Sequence, residues 1–133
     1  MDYADIRVGI YNHLVAEILT VGGRVFWGWV ASAETEKPFL SMEFTGEVPS
    51  MNTPVGSFMM YDVLVIGEEG NVLAIDPIAD SVVSALHEIN VTTPDGRIIR
   101  SEYRRDARAD YWIEDLRGQA IRLAFWLPTD FWT

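Results

Sequence analysis

The side chains able to do chemistry in this sequence are few and poorly placed for it. Its only histidines are His13 and His87. His87-Glu88 begins like the helix of a zinc protease, but that motif needs a second histidine where this chain has Val91. His13 falls on the polar side of an amphipathic stretch, where a histidine is far more often a surface residue than a catalyst. There is no cysteine, which excludes disulfides, thiolate nucleophiles and cysteine-ligated metals. No Gly-x-Ser-x-Gly turn, no Gly-x-Gly-x-x-Gly and no phosphate loop occurs. The acidic neighbours Glu68-Glu69 and Glu114-Asp115 sit beside glycine and other charges in expected loops, as solvated groups rather than an acid/base pair with split pKa values. No enzymatic activity, no cofactor and no metal are expected.

Two features resist a plain structural explanation. Arg97, Arg100, Arg104, Arg105, Arg108, Arg117 and Arg122 crowd one segment, with Tyr103, Tyr111 and Trp112 among them. Residues 1–96 hold 3 basic and 14 acidic side chains, whereas residues 97–133 hold 7 and 6. An acidic body thus carries an arginine-rich end. The net charge of −10 argues against a general nucleic-acid binder. The plain reading is a solvated charged hairpin, and the sharper one is complementarity between copies. The second feature is aromatic: Trp27, Trp29, Trp112, Trp126, Phe131 and Trp132. One of Trp27 and Trp29 must face inward. Trp126, on the polar side of its strand, and the terminal pair fit a core less well, and exposed aromatics beside arginine are what protein interfaces favour.

The elements that must position these residues are legible from periodicity. At 133 residues, 49% of them hydrophobic, the chain supports a single domain spanning 1–133. No basic stretch followed by an apolar run opens it, so no signal peptide is expected, and no apolar run approaches the ~18 residues of a membrane span. Asp2 caps a first helix whose stripe is Ile6, Ile10, Leu14 and Ile18, ended by Gly22-Gly23. Val25–Val30 reads as a strand, as does Pro38–Gly46, where Leu40, Met42 and Phe44 alternate with Ser41, Glu43 and Thr45. Glu47–Gly56, with two prolines, reads as a long mobile hairpin loop whose Val48, Met51 and Val55 have little to bury against locally. Ser57–Ile66 is nearly apolar throughout and predicts a central strand buried on both faces. Asp76-Pro77 predicts the start of a second helix with Ile78, Val82, Leu86 and Ile89 inward. After a turn at Thr93-Pro94-Asp95-Gly96 come a strand at Arg97–Arg105, an irregular connection over Asp106–Leu116 and a closing strand at Arg117–Leu127. The expected fold is α+β, in the order α-β-β-β-α-β-β: a mostly antiparallel, mixed sheet with two helices on one face.

This layout resembles the tail terminator, or tail completion, proteins of long-tailed bacteriophages. The resemblance rests on a short N-terminal helix followed by Gly22-Gly23-Arg24-Val25 and on a strand opening at Pro38-Phe39-Leu40. A long hairpin loop then leads to Tyr61-Asp62-Val63-Leu64-Val65, followed by the helix Ile78–Ile89, an arginine-bearing strand and the ending Arg122-Leu123-Ala124-Phe125-Trp126. It covers nearly the whole chain as a pattern of elements rather than of fixed residues. It implies a virion structural protein at the head-proximal end of the tail, assembled in the host cytoplasm. That protein is a ring homo-oligomer, usually six-fold, that caps the tail tube, stops its polymerisation and meets a head-completion or neck protein. The tail tube protein is then a partner, DNA passes through the lumen without being read, and no membrane is involved. The competing readings are another head-to-tail connector and a small non-enzymatic adaptor or ligand-binding α+β domain.

If copies form a ring, they meet head to tail, so two different surfaces must complement each other. The expected interface sets Arg100, Arg104, Arg105 and Arg108 against Glu34, Glu36, Glu43 and Glu47 of the neighbour, with Trp112 and Trp126 as apolar anchors. The plain alternative pairs these arginines within their own hairpin, with Glu102, Asp106 and Asp110.

Overall fold

A computed structural model describes residues 3–28, 31–49 and 57–128. Asp2, Trp29, Val30, Met51, Val55, Phe131 and Trp132 lie outside the described residues, as does most of the expected hairpin loop. The fold is α+β, as its periodicities predict. Helix α1 (Tyr3–Glu17) and a 3-10 turn at Leu19–Val21 lead into strand β1 (Val25–Trp27). Then follow β2 (Phe39–Pro49), β3 (Ser57–Gly67), helix α2 (Val72–Leu86), β4 (Ile89–Thr92), β5 (Ile98–Ile113), a 3-10 turn at Glu114–Leu116 and β6 (Gly118–Pro128). The six strands form one sheet in the order β1-β2-β3-β6-β5-β4. Among the described residues only the β1–β2 pair is parallel, so the sheet is mixed but mostly antiparallel.

Both helices lie on one face. Ile6, Ile10 and Leu14 from α1 and Ile18 just beyond its end, with Ile75, Ile78, Ala79, Val82 and Leu86 from α2, bury against alternate residues of the central strands. Register stacks these into rows across the sheet: Leu40–Val65–Ile121, then Met42–Val63–Leu123, then Phe44–Tyr61–Phe125–Tyr103. In the last row Tyr61 stacks on Phe125 at 5.2 Å between ring centroids, and Phe125 meets Tyr103 at 5.5 Å. The buried Tyr61 hydroxyl is hydrogen-bonded to the Ser101 hydroxyl, which satisfies two polar groups that would otherwise cost stability. Burial drives the Tyr61 phenol upward, so it stays neutral at any ordinary pH.

Several boundaries differ from the sequence reading, each for a physical reason. Helix α2 starts at Val72, not at Pro77, because Ile75 extends the buried stripe by one turn and packs against the end of β3. A Cβ on Gly67 would fall 2.4 Å from Ile75 Cγ2, so strand and helix approach here as only glycine permits. Asp76-Pro77 therefore lies inside the helix, and Pro77 removes the amide that would bond the Leu73 carbonyl. An interior proline costs ~3 kcal/mol, and its stiffening of the unfolded chain returns ~0.4–1. Pro77→Ala is expected to raise stability by about 2 kcal/mol in urea titration. A first-position proline would instead give no gain.

Ile89 belongs not to the helix but to a sixth strand, β4, which pairs Val91 with Ile99. The expected irregular stretch Asp106–Leu116 is β5 carried on to Ile113, then a 3-10 turn. A bulge explains why it reads as irregular: Arg104 pairs with Ala124, and the next paired residue is Ala109 with Arg122. The slip breaks the alternation that marks a strand. Glu47, Val48 and Pro49, expected in the mobile loop, extend β2 and pair with Met59, Phe58 and Ser57. Strand β1 stops at Trp27 because Gly28 takes φ +68, outside the strand region.

Candidate functional site on the open sheet face

The face away from the helices is not uniformly solvated. At one end Phe39, Leu64, Ile66, Ile113, Leu116 and Ala120 form a second apolar cluster, with Phe26 and Ala31 packed beside it. Serine and glutamate alternation in β2 predicts a polar face, yet Ser41 is buried, its hydroxyl donating to the Gly28 carbonyl at 3.1 Å. Beyond this cluster the face turns polar around two charges set in otherwise apolar strands, Asp62 on β3 and Arg122 on β6.

Asp62 pairs with Ala124 across the ladder, and Arg122 sits one diagonal step away, opposite Leu64. The Arg122 Nε donates to Asp62 Oδ2 at 2.7 Å. The two ends of this pair differ: the Asp62 side chain is 4% exposed and that of Arg122 is 41% exposed. Burial pushes the Asp62 carboxyl upward, and the guanidiniums of Arg122 and, further off, Arg104 pull it back only in part. Around the pair lies an open cavity of about 460 Å³ lined by Glu43, Thr45, Asp62, Ala109, Tyr111 and Arg122. Tyr111 also titrates above its ordinary range. Burial is the main cause, Arg122 opposes it, and the charges of Glu43 and Asp62 add to it. A cavity with two acids, one arginine, a phenol and a threonine suits a cationic or hydrogen-bond-donating guest.

The expected interface residues are dispersed. Arg100 Nε bonds Glu102 at 3.1 Å within its own strand. Arg108 spans Asp76 at 3.2 Å and Asp80 at 3.3 Å on α2, one helical turn apart, and so fastens the bulged strand to the helix. Both guanidiniums are thus engaged within the chain. Arg104 lies with Nη1 3.3 Å from Met60 Sδ and its guanidinium 5.4 Å from the Trp126 ring centroid. Trp126 is half-buried on the open face, and Trp112 is exposed, its indole N–H donating to Glu114 at 2.7 Å. Arg105 is exposed and makes no ion pair among the described residues. Glu34 is exposed, and Glu36 lies 3.7 Å from Arg24 of its own chain. Glu43 lines the cavity. Glu47 and Val48 are placed only as ladder positions, and Met51 and Val55 lie outside the described residues.

The histidines have structural partners. His13 Nε2 lies 2.7 Å from the Ala85 carbonyl, joining the helices, and His87 Nδ1 accepts the Tyr103 amide at 3.1 Å, joining α2 to β5. Among the described residues no group of three His, Asp or Glu side chains is placed to hold a metal. No helix among the described residues is long and apolar enough to cross a membrane. Sequence reasoning missed Asp62 and Arg122 as a pair, although each is a lone charge in an apolar strand, which is the signal that would have found them.

No family model and no curated protein matches the sequence. Among solved structures, the chain is similar to one in the virion of a native gene transfer agent particle. The TM-score is 0.65 at 18% sequence identity, covering 96% of this chain and 98% of that one. At that identity the likeness shows a shared fold.

Proposed function

We propose that this chain is a structural, non-enzymatic protein of a phage-like virion, and within it the ring that caps the tail tube, ends tube growth and offers a surface to the neck. The observation that carries the reading is end-to-end correspondence with a chain of a gene transfer agent virion, 96% of one and 98% of the other. The match runs through both helices and the sheet rather than through one part of the fold. The sheet face away from the helices supports the same reading. It carries half-buried Met60, Arg104 and Trp126 and a polar cavity rather than an evenly charged, solvated surface. The self-complementary charge distribution supports it further.

The test is loss and restoration. Particles assembled without this chain are expected to carry tail tubes of uncontrolled length in negative-stain images, and the purified protein added back is expected to restore a single length. Tails of normal length that fail to join heads would instead mark a head-to-tail connector. Normal, joined particles would overturn both readings.

A further inference from the structure

The bulge in β5 makes two features at once. By slipping the register between Arg104 and Ala109 it sets alanine opposite Arg122, so the wall of the open-face cavity is low there. It also leaves Arg105 exposed on the strand that is outermost at this point, since β4 covers β5 only from Ile98 to Ser101. One feature is a hollow in a sheet face, and the other is a cation at a sheet edge. Two unlike surfaces on one chain are what head-to-tail contact between identical copies requires.

We infer that the cavity lined by Glu43, Thr45, Asp62 and Tyr111 in one copy receives the Arg105 guanidinium of the next, making the open face and the β5 edge the contact between copies. This rests on the ring reading above and names its surface. Charge selects the guest. Glu43 and Asp62 against Arg122 leave the cavity one negative charge in excess. The Asp62 carboxylate accepts from Arg122 through Oδ2. A guanidinium offers several donors in one plane, enough to meet Glu43 and the phenol together. Charge also selects the donor: Arg100 is held by Glu102, Arg108 by Asp76 and Asp80, and Arg104 lies against Met60 and Trp126. Arg105 has no such engagement among the described residues.

The test uses Arg105→Glu and Glu43→Lys, each checked for unchanged secondary structure and thermal unfolding. Arg117→Glu is the control, another exposed arginine of the same segment. Self-association is read by light scattering and tube termination by the add-back assay. Each reversal sets like charges together at every contact, so each alone is expected to raise the concentration for half-assembly by about ten-fold or more. An equimolar mixture of the two restores an opposite-charge pair at every alternating contact and is expected to recover assembly, while Arg117→Glu stays close to the parent. Arg105→Glu assembling like the parent, a mixture that fails to recover, or equal damage from Arg117→Glu would overturn the contact and leave the ring reading standing. A parent protein that stops at dimers, with Arg105→Glu monomeric, would keep the contact and sink the ring. A parent that neither associates nor terminates tubes would sink both.

Discussion

Replacing Phe125 with alanine is expected to lower the unfolding free energy by about 3–5 kcal/mol, a large share of the ~5–15 kcal/mol that a domain of this kind commands. Phe125 is fully buried on β6, held between β3 and β5, with Tyr61 stacked on one side and Tyr103 tilted on the other. Strands pinned by ladders on both sides cannot close on a void, so the cavity penalty adds to the lost transfer energy. Phe125→Leu keeps most of the volume and is expected to cost less than about 2 kcal/mol. Urea titration followed by near-ultraviolet circular dichroism checks both, because the same tyrosines report loss of packing. A cost below 1 kcal/mol for the alanine variant would mean that this aromatic row is not the packed centre of the sheet.

That row shows what the sequence can and cannot disclose. Alternation in β2 and β6 makes the inward residues Leu40, Met42, Leu123 and Phe125 legible one strand at a time, whereas β3 is apolar on both faces and does not by itself tell Tyr61 and Val63 from their neighbours. Which of them share a row depends on register, and register is set by pairing between distant segments. The helix stripes are legible for the same reason, but the start of α2 is not. Asp76-Pro77 imitates a helix start, and only the packing of Ile75 on Gly67 shows that the helix begins a turn earlier. The bulge in β5 hides more. It breaks the period that identifies a strand, sends Arg108 to the helix face to pair with Asp76 and Asp80, and leaves Arg105 exposed. Counting arginines finds the segment, but it cannot tell which guanidiniums are taken up within the chain. The open-face cavity draws residues from β2, β3, β5 and β6, so no window of sequence contains it.

Arg122→Leu is expected to cost about 3 kcal/mol at pH 8, and Asp62→Asn in the same chain to recover all but about 1 kcal/mol of that. The asymmetry follows from exposure. Arg122 is 41% exposed and can turn its charge to water if Asp62 is neutralised, so Asp62→Asn alone costs little. Asp62 is 4% exposed and cannot, so removing Arg122 strands a carboxylate in the sheet. The half-exposed arginine places the expected loss at the low end of the range for broken buried pairs. The pH dependence has a definite sign. Burial already holds the Asp62 carboxyl above its ordinary value, and losing Arg122 removes the largest opposing influence. A carboxyl whose folded value lies above its unfolded one favours folding when protonated. That stability is fully present below the unfolded value of about 3.9 and is lost as pH rises through the higher folded value. The deficit of Arg122→Leu relative to the parent is therefore expected to narrow as pH is lowered from 8, while that of the double variant, which lacks the carboxyl, does not narrow. Urea midpoints for the four chains of this cycle across that range check it. A deficit that widens on acidification, or one that Asp62→Asn does not relieve, would mean that Arg122 stabilises the sheet through its packing rather than by compensating the buried carboxylate.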